Sequence, residues 1–245
     1  MSKRVALVTG GTGGIGTAIC RRLADDGFRV AAGYSNAEKA KRWQTEQLAA
    51  GYEIAIAYAN VADFDSCQQC YQEIVDQYGP VSVLVNNAGI TRDTTLKRMS
   101  PEQWNEVIQT NLNSVFNLSR VCLENMLQQQ YGRIINISSI NGQKGQFGQT
   151  NYCAAKSGMH GFTKALALEV ASKGITVNTI SPGYIATNMI MAVPEEIREQ
   201  IRQQIPVKRF GKPEEIARAV SFLAAEEAGF ITGSDLSVNG GQHMH

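Results

Sequence analysis

One doubly wound α/β domain on a seven-stranded parallel sheet is the fold predicted by this 245-residue sequence. Three observations carry that expectation. Short runs rich in Val and Ile alternate with segments of helical periodicity, and parallel strands need such crossovers. No Pro/Ser-rich linker, low-complexity tract or internal repeat divides the chain, so a single domain over 1–245 is expected. Each chemically suggestive motif falls just after a strand or at the start of the next helix, where open parallel sheets bind their ligands.

The first strand, 5–9, runs into a glycine-rich turn and a helix over 15–26. A second strand at 29–34 precedes a helix over 37–50, and a third at 53–59 precedes one over 63–78 that begins at Asp63. The fourth strand, 83–85, ends in Asn86-Asn87-Ala88-Gly89, and a long helix is expected over 101–129. The fifth, 133–137, ends in Ser138-Ser139 ahead of a helix over 152–172, and the sixth, 176–180, ends at Pro182-Gly183. A helix over 213–224 and a strand at 235–238 close the pattern. The segment 184–210 breaks it: a long insertion, helical around 194–204, that suits either a lid over a site or a surface excursion.

Composition narrows the function classes. With 23 Lys+Arg against 22 Asp+Glu and 43% hydrophobic residues, the chain has neither the signature of disorder nor the basic excess of a nucleic-acid binder. The apolar run Val5-Ala6-Leu7-Val8 is shorter than the roughly 7–15 residues of a secretory signal core. No run approaches the roughly 18 residues of a membrane span, so a cytoplasmic protein without membrane partners is expected. The cysteines at 20, 67, 70, 122 and 153 form no disulfide framework. Cys67 and Cys70 have no second pair to complete a zinc site and read as small apolar residues on one helix face. The histidines stand at 160, 243 and 245, and no metal is expected.

Gly10-Gly11-Thr12-Gly13-Gly14-Ile15-Gly16 lies between the first strand and the first helix. Glycines there allow a tight turn and let the backbone approach a pyrophosphate, which the helix N-terminus favours. G-x-G-x-x-G alone is a weak signal; inside a βαβ unit it points to a dinucleotide. The second strand ends in Tyr34-Ser35-Asn36 with no acid, and Lys39, Lys41 and Arg42 follow. An acid at that point would bind the 2′-hydroxyl of NAD, and its absence beside cations favours NADPH. The adenine is expected near Asn60 and Val61.

Tyr152 and Lys156 are four residues apart, so a helix carries both on one face. Tyrosine's ordinary pKa of about 10 is high for proton transfer near neutrality, and an adjacent ammonium is expected to lower it. Taken together, Thr9-Gly10-x-x-x-Gly14-x-Gly16, Asn86-Asn87-Ala88-Gly89, Asn111, and Ser139 with Tyr152-x-x-x-Lys156 resemble the short-chain dehydrogenase/reductase family, which has the Rossmann fold. The resemblance spans essentially the whole chain. It implies that Ser139 bonds the substrate carbonyl, that Tyr152 delivers the proton, and that Lys156 holds the nicotinamide ribose. It also implies that Asn111 holds a water linking Lys156 to solvent. Cofactor contacts are implied at Gly10, Thr12, Gly13, Gly14, Ile15, Gly16, Tyr34, Lys39, Asn60, Val61, Asn87, Ala88, Gly89, Tyr152, Lys156, Pro182, Gly183 and Ile185.

Within that family, the loop between Ser139 and Tyr152, the segments 89–93 and 182–185, and the C-terminal Asn239-Gly240-Gly241 resemble the branch that reduces acetoacetyl-CoA for polyhydroxybutyrate. By that resemblance Asp93, Ser139, Gln146, Phe147, Gln149 and Tyr184 border an acyl-CoA substrate, and a small pocket bounded by Phe147 and Tyr184 favours four-carbon acyl groups. The alternative is a 3-oxoacyl-[acyl carrier protein] reductase, whose acidic partner could meet Arg92, Lys97 and Arg98. Lid residues Asn188 and Val193-Pro194 depart from the branch's pattern. A homotetramer is implied by the family, with apolar positions on the two long helices available for pairing.

Overall fold

The computed structural model describes residues 3–244, so His245 falls outside it. Seven strands form one sheet: β1 (Val5–Val8), β2 (Arg29–Tyr34), β3 (Ala55–Tyr58), β4 (Val81–Asn86), β5 (Gly132–Ile137), β6 (Ile175–Pro182) and β7 (Asp235–Val238). Their order is β3-β2-β1-β4-β5-β6-β7, and every neighbouring pair is parallel. The chain winds outward one way from β1 and then the other way from β4. The crevice beyond the carboxyl ends of these two strands is therefore the switch point where ligands bind.

Helices cover both faces, as parallel strands demand. They are α1 (Gly14–Asp25), α2 (Ala37–Ala49), α3 (Phe64–Tyr78), α4 (Pro101–Ile108), α5 (Ser114–Gln129), α6 (Ile140–Lys144), α7 (Thr150–Val170), α8 (Asn188–Met191), α9 (Glu195–Gln203) and α10 (Pro213–Ala224). One core packs Leu7, Leu84 and Ile134 against Cys67 and Cys70 of α3, Leu118 and Met126 of α5 and Leu166 of α7. The other packs Val8, Val85 and Ile135 against Ile19 and Leu23 of α1 and Ile216 and Val220 of α10. Burying each such aliphatic side chain contributes roughly 1.5–3 kcal/mol.

Helix starts follow local chemistry. Asn36 accepts from the Lys39 amide at the head of α2, Asp63 from the Ser66 amide at the head of α3. Ser100 and Gln103 form a reciprocal capping box on α4, with Pro101 at its first position.

Three elements differ from the sequence expectation. The helix expected over 101–129 is broken by a π-helical turn, Gln109–Asn113, that re-aims Asn111. Residues 140–144 form a short helix where a loop was expected. The 184–210 insertion carries two helices, α8 and α9, and its ends are tied by a bridge between Ile185 and Gly211. Ion pairs of Glu195 with Arg198 and of Glu199 with Arg202, three residues apart, support α9.

Candidate active site

A cleft of about 1140 Å³ opens at the switch point. At one end the backbone turns sharply through Gly10, in the left-handed region at φ 59°. A Cβ on Gly16 would lie 2.2 Å from the Gly10 carbonyl oxygen, so the turn closes onto α1 only with glycine there. No side chain caps α1, and Gly13, Gly14 and Ile15 line the cleft where its first amides emerge. An uncapped helix N-terminus behind a glycine turn fits the pyrophosphate of a dinucleotide.

Thr9 holds this turn to the fourth strand. Its Oγ1 accepts from the amides of Asn87 at 2.9 Å and Ala88 at 3.0 Å, while Asn87 Nδ2 donates to the carbonyls of Thr9 at 2.9 Å and Gly10 at 3.2 Å. Beyond β2 the wall is built by Tyr34, Ser35, Lys39 and Arg42, with Arg21 of α1 facing them and Glu46 one turn beyond Arg42. Arg21 Nε donates to Gln47 Oε1 at 2.7 Å, and Trp43 Nε1 donates to Thr17 Oγ1 at 2.9 Å, which fixes α2 against α1. Asn60 and Val61 line the cleft past β3, and the Val61 carbonyl accepts from Asn117 Nδ2 at 3.0 Å.

At the other end stand Ser139, Tyr152 and Lys156. Ser139 caps α6 by accepting from the Asn141 amide at 3.1 Å, which leaves its hydroxyl hydrogen to be donated. Burial pushes the Tyr152 phenol up to about 12; a side-chain hydrogen bond with Ser139 lowers it and the charge of Asp93 raises it. The net direction is upward, opposite to the lowering expected from Lys156. Lys156 is itself buried, which pulls its ammonium down to about 7, and its Nζ stands 5.6 Å from the centre of the Tyr152 ring. That Nζ donates to the Ile137 carbonyl at 2.7 Å. Desolvation is the leading cause for both groups.

Asn111 is fully buried, and its side chain is taken up by Ile90: Oδ1 accepts from the Ile90 amide and Nδ2 donates to the Ile90 carbonyl, both at 2.8 Å. It anchors the loop after β4 rather than lining the cleft.

Among the substrate contacts implied by resemblance, Ser139, Gln149 and Tyr184 line the cleft. Asp93 stands behind Gln149, accepting from its Nε2 at 2.7 Å. Phe147 requires correction: it is 87% exposed and does not wall the cleft. Gln146 is likewise exposed, reached by Lys144 Nζ at 3.4 Å. Both sit on the loop between α6 and α7, which turns outward through Gly145 and Gly148. Sequence reasoning did not single out Arg21, Thr17 and Trp43, which the packing of α1 on α2 brings to the cleft; nothing local marks them.

Burial pushes the thiols of Cys67 and Cys70 up to about 12, as befits core residues rather than thiolates. Among the described residues no helix is long and apolar enough to cross a membrane.

Sheet order, glycine turn and the Ser139–Tyr152–Lys156 set define a dinucleotide-dependent oxidoreductase. The short chain dehydrogenase family model matches residues 4–198, and the chain belongs to that family. It is 54% identical over 245 residues to an acetoacetyl-CoA reductase of Cupriavidus necator, covering 100% of both chains. It is 55% identical over 244 residues to one of Allochromatium vinosum, covering 99% of each. It is also 47% identical over 240 residues to a 3-oxoacyl-[acyl-carrier-protein] reductase of Staphylococcus aureus, covering 98% of each.

Proposed function

We propose that this protein reduces acetoacetyl-CoA, and short 3-ketoacyl-CoA thioesters like it, to (R)-3-hydroxyacyl-CoA with NADPH, in polyhydroxybutyrate synthesis. The observation that carries the substrate is the end-to-end identity of 54–55% with two acetoacetyl-CoA reductases. The cations Lys39, Arg42 and Arg21 at the cleft wall, with no acid at the end of β2, support the 2′-phosphate.

When bound, NADPH supplies the hydride; the rest falls to the chain. The turn at Gly10–Gly16, with Asn60, Val61, Asn87, Ala88, Gly89, Pro182, Gly183 and Ile185, forms the walls that hold it. Ser139 donates its hydroxyl to the ketone oxygen and stabilises charge as it grows there; a single such donor is worth about 100–1000-fold in rate. Tyr152, protonated at neutral pH, gives its proton to that oxygen. Lys156 Nζ donates to the Ile137 carbonyl at 2.7 Å and meets the weak acceptor Met159 Sδ at 4.0 Å, which leaves a donor for a ribose hydroxyl and for proton resupply. Asn111 serves resupply by fixing the loop after β4 through its two side-chain bonds to Ile90.

Reduction of a carrier-protein thioester is the rival reading, favoured by the 47% identity with such an enzyme. It needs a basic docking patch, and Arg92 is withdrawn from that patch by two bonds to Glu106, at 2.5 and 2.9 Å. We assign the protein to the cytoplasm as a homotetramer. Phe116, Leu127 and Leu168, exposed on α5 and α7, support helix pairing between copies. Oxidation of NADPH on addition of acetoacetyl-CoA, with chiral analysis of the product, tests the assignment; no turnover, or the (S) product, refutes it.

A further inference from the structure

Helix α6, which opens at Ser139, has five residues, too few to hold a helix in place by its own hydrogen bonds. Its position comes from neighbours. On one side Asn141 Nδ2 donates to Gln149 Oε1 at 2.9 Å. On the other, Gln143 Nε2 donates to two groups on β7, Asp235 Oδ2 and Ser237 Oγ, each at 2.7 Å. Asp235 also accepts from Ser181 Oγ of β6 at 2.7 Å through Oδ1, and its Oδ2 lies 3.6 Å from His160 Nε2 of α7. The Asp235 side chain is 17% exposed, and neither it nor Gln143 lines the cleft. The amide orientation of Gln143 answers to this acceptor pair: Nε2 spends both hydrogens on β7 while Oε1 is buried without a partner.

We propose that Asp235 is a positioning residue for the reduction: its carboxylate holds α6 through Gln143, and so sets the Ser139 hydroxyl opposite Tyr152. The proposal rests on the carbonyl reduction assigned above. The carboxylate offers one oxygen to Gln143 and the other to Ser181. An amide at 235 turns a donor toward one of these two. The helix that would shift in response begins at Ser139, and misplacing a reacting group by about 1 Å costs on the order of 100-fold in rate.

The test uses Asp235→Asn, Gln143→Glu and the double variant, which restores one donor and one acceptor between the two positions. Steady-state kinetics with acetoacetyl-CoA are read beside hydrogen exchange of the backbone amides of residues 140–144. Each single variant is expected to lose about 10-fold in kcat with KM for NADPH unchanged, while the α6 amides exchange faster. The double variant is expected to recover both. Full kcat in either single variant, or a double variant no better than the worse single, overturns the proposal. If Asp235→Asn does not fold, Gln143→Leu, which removes the tether alone, must show the same kcat loss and faster exchange, and its failure to do so overturns the proposal equally. A wild-type protein inactive on acetoacetyl-CoA refutes the substrate assignment alone; exchange in α6 and its rescue then decide the role of Asp235.

Discussion

Lys156 donates to the Ile137 carbonyl from a position only 4% exposed, with no carboxylate among the causes of its depressed pKa. Burial holds its ammonium near 7, well below the ordinary 10.5. Between those two values the unfolded chain binds a proton that the folded chain does not, so this residue makes stability rise with pH across that window. Below about pH 7 the cost is fully present. Lys156→Met is therefore expected to raise Tm at pH 7 by about 2–4 °C, to flatten the rise toward pH 10, and to abolish turnover. A Tm that falls instead would show that the ammonium stabilises the fold and that its burial carries no net cost.

Burial pushes the Tyr152 phenol up to about 12, so it is expected to stay protonated across neutral pH and its ionisation to leave the reductive rate flat to about pH 9. The reverse oxidation needs the phenolate and should climb with pH over that range. Tyr152→Phe is expected to cut kcat by at least about 100-fold while NADPH still binds, measured by fluorescence of the reduced nicotinamide. Half the wild-type activity in that variant would remove Tyr152 from its role.

Cofactor preference follows from charge at the end of β2. NADPH is expected to exceed NADH in kcat/KM by about tenfold or more, equivalent to 1.4 kcal/mol. Ser35→Asp brings a carboxylate to the wall shared with Lys39 and Arg42 and should erase most of that margin. Equal wild-type kcat/KM with both cofactors would refute the assignment.

The outward course of the 145–149 loop makes Phe147 dispensable in the isolated subunit's cleft. Phe147→Ala should leave kcat/KM for acetoacetyl-CoA within about threefold, whereas Tyr184→Ala, at the cleft wall, should lower it more than tenfold. Equal losses in both would return Phe147 to the substrate wall.

How much of this was legible in sequence depends on the range of the interaction. The strands read clearly because central parallel strands are buried on both faces: Val5 to Val8 are all buried, and so is every residue of β4 and β5. The glycine turn and the Tyr152–Lys156 pair read clearly because each is a local spacing. The π turn at Asn111 did not, since one extra residue in a turn leaves no mark on apolar periodicity. Helix α6 did not either, because Ile-Asn-Gly-Gln-Lys has no helical pattern and is held by contacts such as Gln143 with Asp235, 92 positions apart. The pKa of Tyr152 was misjudged because spacing shows which groups are adjacent but not how deeply both are buried.

A coenzyme A thioester is the proposed substrate of the Ser139–Tyr152–Lys156 site. The most direct test compares kcat/KM for acetoacetyl-CoA and for an acetoacetyl-carrier-protein conjugate, with NADPH saturating. The higher value is expected for acetoacetyl-CoA; a carrier-protein conjugate favoured by about tenfold, or 1.4 kcal/mol, would contradict this and place the enzyme in fatty-acid synthesis.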